Sequence, residues 1–458
     1  MSETPAAMAQ APAVGPLPAI DIPRATRFAL SNGLNVVALR RDVAPIVSAG
    51  FMFRSGGAVD PPGRAGLASI TAEMLDEGAG ARDALTIAAD LERLGADLWL
   101  GSGRDGSQLS VQAPRETFAE AMSIAADVLT RPRLEELDWS RVHNDRRTSV
   151  AQRRDQPESV VNVVSDLTLF GEGHPYGQPV DGLERTVDAI TLDDVRAFHD
   201  VHYRPNNASL VIAGDFDEVR LQAELETLLA AWRPGPPPPT AVVSPWPTRP
   251  RLLLCDRPGA PQSVVRLVAP GTDRFSPDRP GLSMLNAILG GSFTSRLNFN
   301  LREKHGYTYG AASSFSFLRQ AGTFAARAAV FVESTAPAVR EMLAELSGLR
   351  ERPITADEHA KAHATLLMRV AEGLSSAGGM ATTFGELGLY GLPLDEPMRF
   401  VSALRRTTAD DLRALGERYV DPEAACIAIV GDRAAIEPGL RDLGLPAPVM
   451  RNADGDLL

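Results

Sequence analysis

Two short apolar runs, Leu210-Val-Ile-Ala213 and Ile427-Ala-Ile-Val430, each end on Gly-Asp. Four continuous apolar residues closed by a turn signal predict a buried strand. A proline, Pro205 or Pro422, precedes each run. Further upstream stands a helix opening, Thr191 with Asp194 or Thr408 with Asp411, at the spacing that lets a threonine and the third helical residue cap each other. These landmarks recur at one interval of 217 positions: 191 to 408, 205 to 422 and 215 to 432. A constant offset predicts two duplicated domains of about 220 residues each.

The remaining pattern fills in both halves. Phe28-Ala-Leu30 and Leu34-Asn-Val-Val-Ala-Leu39 flank Asn32-Gly33, a strong hairpin signal, and a further strand is expected over 47–53. The second half opens with Arg251-Leu-Leu-Leu254 and Ser263-Val-Val-Arg-Leu-Val268. Helical patterns cover 118–129, 282–289 and 336–349. The expected class is α+β: two homologous domains, each a mixed or antiparallel sheet with helices packed on one face. Between them, 233–250 holds Pro234, Pro236 to Pro239, Pro245, Pro247 and Pro250. So much proline permits neither helix interior nor central strand, and predicts an extended, semi-rigid connector. The expected boundaries are a disordered Ala/Pro-rich lead over 1–23, domains over 24–232 and 251–447, and a tail over 448–458.

Composition narrows the function. The 458 residues are 44% hydrophobic, enough for a core in each half, yet no run approaches the ~18 apolar residues of a membrane span. A net charge of -12 argues against bulk binding to nucleic acid or anionic membrane. Cys255 and Cys426 are too few for a disulfide framework or a cysteine-rich zinc site, and read as small core residues on strands. Ala9-Gln10-Ala11 looks like the end of a secretory signal, but no basic and apolar regions precede it. A cytoplasmic location is therefore expected, with a periplasmic one if the true start lies upstream.

Several motifs share one source. Gly56-Gly57 stands ahead of Gly66-Leu-Ala68, and His174-Pro-Tyr-Gly177, Arg204-Pro-Asn-Asn207 and Pro258-Gly-Ala-Pro-Gln262 follow. Gly290-Gly-Ser-Phe-Thr-Ser-Arg-Leu297 then leads into Leu301-Arg-Glu-Lys-His-Gly-Tyr-Thr-Tyr309. From about Arg27 to Asp432 the chain resembles the pitrilysin-type metallopeptidases, the inverzincins, in their processing-peptidase-like two-domain branch. The resemblance implies a LuxS/MPP-like metallopeptidase fold. In active members a helix after Gly-Leu-Ala carries H-x-x-E-H, two zinc ligands flanking a general base, and a later helix adds a Glu ligand. Matched position by position, the ligands fall on Ser69 and Glu73 and the base on Ala72, and the later helix near Arg147-Thr-Ser-Val150 offers no Glu. Serine is a poor zinc donor and alanine takes no proton, so the resemblance implies the fold while these residues deny its chemistry. Glu73 is expected on a solvated helix face.

The second half keeps what the first has lost. The resemblance assigns Arg302 and Tyr309 to substrate: the guanidinium and the phenol can each donate to a peptide carbonyl or developing oxyanion. By residue type alone, Arg302 paired to a nearby acid and Tyr309 half-buried on a strand would be the commoner outcome. Gly290, Gly291, Ser292 and Phe293 are implied as a substrate-guiding segment; Gly290 also suits the end of a helix over 282–289. His359 and His363, four apart after the cap formed by Thr355 and Glu358, lack a third ligand and read as surface histidines. His199 and His202 read as helix-end residues, where a cation is favoured, and His174 as a turn residue. Gly56-Gly57 lacks the strand–helix context of a nucleotide site.

The resulting expectation is a chain inactive alone: the non-catalytic, substrate-binding subunit of a heterodimeric zinc peptidase, with no cofactor of its own. A homologous partner with intact H-x-x-E-H would carry zinc, and unfolded peptide would be the substrate. The alternatives are a structural scaffold subunit and a peptide carrier without proteolysis.

Overall fold

The computed structural model describes Ile20, residues 24–241 and residues 246–458. The expected lead over 1–23 therefore lies, except for Ile20, outside the described residues. In the first half, β1 (Ala25–Ala29) and β2 (Asn35–Arg40) form the hairpin signalled by Asn32-Gly33, with Gly33 in the left-handed region at φ 87°. β3 (Ile46–Phe53), a small ribbon of β4 (Gly78–Ala79) with β5 (Arg82–Asp83), and β6 (Asp97–Ser102), β7 (Ser107–Pro114) and β8 (Ala208–Gly214) follow. The first sheet runs β1-β2-β8-β3-β7-β6.

The second half gives β9 (Leu252–Asp256), β10 (Gln262–Pro270), β11 (Ala311–Phe317), β12 (Gly322–Phe331), β13 (Cys426–Gly431) and β14 (Val449–Met450). Its sheet, read from β14, runs β14-β9-β13-β10-β12-β11. The duplication is thus visible in strand order, with β9, β13, β10, β12 and β11 standing for β2, β8, β3, β7 and β6. The outermost place differs. β1, which precedes β2, fills it in the first sheet, antiparallel; β14, from the chain's last residues, fills it in the second, parallel. Of the segment 448–458, read as a tail, Val449 and Met450 form an edge of the sheet. Both threonine caps form as reciprocal capping boxes, Thr191 with Asp194 and Thr408 with Asp411.

The apolar runs on the central strands have a physical cause that corrects the sequence reading. Helices do not cover one face only. On one face of the first sheet, Val36, Ala38, Ala49, Phe51, Leu210 and Ile212 pack against helices of their own half, including Phe118–Thr130. On the other face, Val37, Leu39, Val211 and Ala213 meet Met380, Ala381, Phe384 and Leu387 of helix Ala377–Tyr390, which belongs to the second half. The exchange is mutual. Val160, Val161, Val164 and Phe170 of first-half helix Pro157–Phe170 cover Leu253, Val264, Val268, Cys426 and Val430. Strands buried on both faces lose the polar alternation of a half-exposed sheet.

A turn clasps the halves. Between β6 and β7, Asp105 accepts hydrogen bonds from the Tyr176 hydroxyl, the Tyr390 hydroxyl at 2.9 Å and the Arg319 amide at 2.8 Å. Beside it Arg104 donates to Asp166 at 2.6 Å, and Asp166 also receives Arg266 from the second half at 2.8 Å. Gly56 lies under this turn, where a Cβ would stand 2.3 Å from the Gly103 carbonyl oxygen. The connector holds no helix or strand among its described residues; Trp246 stacks on Phe170 at 4.8 Å between ring centroids. Among the described residues no helix is long and apolar enough to cross a membrane.

Candidate functional site

Two centres correspond to the residues singled out in the sequence. The first lies on helix Leu67–Met74. It starts at Gly66, left-handed at φ 103°, and the half-buried Asp60 carboxylate accepts from the Gly66 and Ala68 amides at 2.9 and 2.8 Å. Burial nevertheless pushes Asp60 up to about 7, because desolvation of the charged form outweighs these bonds. The helix sends Ala72 into the core, 1% exposed, and brings Ser69 and Glu73 toward helix Glu136–Arg153. Arg146 of that helix, with a side chain 6% exposed, enters between them.

Both terminal nitrogens of Arg146 donate to Ser69 Oγ at 3.1 Å. Nη2 also pairs with the Glu73 carboxylate, and Nη1 reaches Asp181 Oδ1 at 3.4 Å and its carbonyl at 3.3 Å. Glu73 is exposed, as expected of a solvated helix face, but it is not idle; it neutralises a buried cation. Next to this cluster opens a cleft of about 480 Å³, lined by Glu73, Asp76, Glu77, Trp99, Asp145 and Arg146 among others. Burial, with Glu77 and Glu73 nearby, raises Asp76 to about 6. Trp99, 56% exposed, stands on β6, the open edge of the sheet.

The second centre lies in the other half. Helix Arg279–Leu289 ends at Gly290, as its sequence suggested. Gly290 touches β11: its carbonyl accepts the Ser313 amide at 3.1 Å, and a Cβ would stand 2.3 Å from that nitrogen. Gly291 is likewise closed in, since a Cβ there would meet Asn286 Nδ2 at 2.6 Å, and its carbonyl accepts Arg369 at 3.0 Å. Ser292 Oγ donates back to the Ala287 carbonyl at 3.0 Å, and Phe293 projects outward, 69% exposed.

Residues Phe299–Lys304 then form a π-helix, a rare wide turn that often marks functional positions. Arg302 sits on it, its side chain 35% exposed, with the guanidinium carbon 4.6 Å from the Phe293 ring centroid and Glu303 3.5 Å from its Nε. Tyr309 is 84% exposed and lines a cleft of about 340 Å³ with Asn162 and Gln262. The structure thus brings Phe293 onto Arg302, and leaves Tyr309 open rather than half-buried. Among the described residues no hydrogen bond joins Arg302 to Tyr309.

Residues 36–169 match the family described as Insulinase (Peptidase family M16), and residues 189–366 match Peptidase M16 inactive domain. The chain belongs to the M16 peptidase family. An uncharacterized zinc protease of Streptomyces coelicolor is 26% identical over 89% of this chain and 90% of its own length. One of Mycobacterium tuberculosis is 27% identical over 91% of this chain and 95% of its own. Among solved folds, a peptidase M16 inactive domain from Pseudomonas fluorescens superposes with a TM-score of 0.83 at 24% identity, covering 89% of this chain and 98% of that one. A chain of Complex III2 from Candida albicans gives 0.77 at 16% identity, covering 91% and 99%.

M16 peptidases are zinc enzymes, and the donors here do not fit that ion. Ser69, the buried Ala72 and Glu73 offer one carboxylate, and Arg146 already presents its guanidinium to Ser69 and Glu73. A second cation in that place would face repulsion with too few ligands. Among the described residues no group of three His, Cys, Asp or Glu could hold a metal. On the later helix Arg147 pairs with Asp188 at 2.5 Å and Val150 is buried. Arg146 was missed in the sequence; its signal was a basic residue on the helix that the resemblance assigns to an acidic ligand.

The other histidines and the two cysteines singled out in the sequence make packing and hydrogen-bond contacts. His174 Nδ1 accepts the Tyr176 amide at 3.0 Å while its ring packs on Phe170. His199 and His202 do end a helix, but not as cations: burial lowers both, His202 to about 4. Neutral His202 meets the Ser55 hydroxyl at 2.7 Å, which accepts from Asn207 at 2.9 Å. His359 and His363 are half-buried rather than on the surface, and His359 Nε2 bonds the Thr407 carbonyl at 2.8 Å. Cys255 and Cys426 are buried on β9 and β13, where desolvation raises each thiol to about 11.

Proposed function

We propose that this chain is the non-catalytic, substrate-binding subunit of a heterodimeric M16 peptidase. One observation carries the reading. The position matched to the metal site holds a buried arginine, while of the pair matched to substrate binding Tyr309 stands open and Arg302 is partly exposed, against Phe293 and beside Glu303. A homologous partner with intact H-x-x-E-H supplies zinc and the general base. This chain supplies Arg302, whose guanidinium donates to the carbonyl oxygen of an unfolded peptide, and Tyr309, whose hydroxyl donates to the same oxygen. Donors aimed at charge that develops during attack lower the barrier most where water is excluded. Gly290 to Phe293 guide the peptide toward them. We place this activity in the cytoplasm.

The test is reconstitution with the partner and turnover of an unstructured fluorogenic peptide. Arg302→Ala should lower kcat by about 10²-fold, the usual loss for one oxyanion donor, with assembly intact. Undiminished turnover would overturn the reading. A structural scaffold subunit is the second reading, favoured by the likeness to a chain of Complex III2. It expects Arg302→Ala and Tyr309→Phe to leave every property of the assembly unchanged.

A further inference from the structure

Arg302 is carried on the π-turn Phe299–Lys304, and a wide turn of this kind persists only when its surroundings hold it. Beneath it lies a buried polar network. Asn300, 6% exposed, donates from Nδ2 to Glu345 Oε1 at 2.6 Å and to Glu341 Oε2 at 3.1 Å. Glu345 is 4% exposed and its other oxygen is paired with Arg352. Both glutamates come from one helix, Thr335–Glu351, one turn apart.

The same Asn300 anchors the turn through its main chain. Its carbonyl accepts the His305 amide at 3.1 Å, the bond that closes the wide turn around Arg302. The next carbonyl, Leu301, accepts the Tyr307 amide at 2.9 Å, and Tyr307 in turn receives the Phe331 amide at 3.3 Å. Thr308 Oγ1 bonds the Ala329 carbonyl at 2.5 Å. Asn300 therefore fixes the start of a continuous track that ends at Tyr309. Apolar packing could hold a helix to its neighbour without burying a carboxylate, which carries a desolvation cost. A buried polar network in which both glutamates accept from Asn300 Nδ2, and only its Oδ1 is left without a partner among the described residues, instead specifies one geometry.

The geometry points to Asn300 and Glu345 as positioning residues for Arg302: they hold the π-turn so that the guanidinium emerges beside Phe293 and at a fixed separation from Tyr309. Neither touches substrate. The inference rests on the proposed role of Arg302 only for its effect on turnover; the hold on the turn is a property of this chain alone.

Two measurements separate these parts. In the isolated full chain, hydrogen exchange at the His305 and Tyr307 amides should quicken at least ~10-fold in Asn300→Ala, and likewise in Glu345→Leu, while the thermal midpoint moves little. Glu345→Gln, which keeps an oxygen for Asn300, should restore near wild-type protection. Unchanged protection in Asn300→Ala, or loosening in Glu345→Gln equal to that in Glu345→Leu, overturns the positioning. In the complex with the zinc-bearing partner, Asn300→Ala should lower kcat about 10-fold with KM unchanged, as misplacement of a catalytic group does. Adding it to Arg302→Ala should cost nothing more, whereas independent losses would show that Asn300 does not act through Arg302. An inert Arg302→Ala would defeat the functional reading and leave the exchange result to decide the positioning.

Discussion

Arg146 shows how one side chain can replace an ion. Its guanidinium ties helix Leu67–Met74 to helix Glu136–Arg153 through Ser69 and Glu73. Restoring the missing residues should therefore not restore the metal. Ser69→His/Ala72→Glu/Glu73→His should bind no stoichiometric zinc by elemental analysis while Arg146 remains. Glu73→Ala alone leaves Arg146 buried beside Ser69 and an exposed Asp181, and should cost about 2 kcal/mol of stability in urea, below the range for a fully buried pair because Glu73 is half exposed. His202 gives a pH signature. Unfolded, it takes a proton near pH 6.5; folded, burial delays this to about 4. Between those values the unfolded state binds more protons, so its contribution to stability falls as pH drops from about 6.5 to 4 and levels off below. The total is roughly 3 kcal/mol. The difference between wild type and His202→Gln across that window isolates it; parallel curves would refute the assignment. The loss of a zinc ligand at Ser69 and of the general base at Ala72 was legible, but Arg146 was not, because a guanidinium has no motif when its partners lie 73 and 77 positions away.

Among elements, helix Ala377–Tyr390 matters most and was least legible. It carries four glycines, Gly378, Gly379, Gly385 and Gly388, in 14 residues. By propensity such a segment reads as a loop, each glycine costing about 1 kcal/mol relative to alanine. The structure supplies the reason. A Cβ on Gly388 would stand 2.3 Å from Ser209 Oγ, and one on Gly385 3.0 Å from Met52 Cγ, so the bare face lets the helix lie against the other half's sheet. Phe384, 1% exposed, anchors it there. Phe384→Ala should destabilise by about 3–5 kcal/mol, and calorimetry should show the whole chain melting in one lowered transition. Loss of the second half alone would contradict the mutual cover. The strands were legible for the opposite reason: Leu210-Val-Ile-Ala213 and its repeat declare burial, although nothing in them tells which half does the burying.

At the scale of the molecule, the repeat of 217 positions and the proline-rich connector marked out two domains, but not that each completes the other. The connector should consequently be dispensable once folding is over. A protease site placed between Pro237 and Pro238 should yield two fragments that still co-elute on size exclusion at neutral pH, held by the exchanged helices and the Asp105 clasp. Separation of the fragments would mean that the connector, not the packing, unites the halves. The expressed halves alone should aggregate, each exposing an apolar sheet face. The mutual cover also sets an order of events during synthesis. β8 is made long before helix Ala377–Tyr390, and β9 long before β14. The first sheet must wait, one face uncovered, until helix Ala377–Tyr390 has emerged, and the second stays open at its edge until β14 follows. A nascent chain with that exposure is a client for chaperones, so the cell's protection of unfinished polypeptides is part of how this fold is reached.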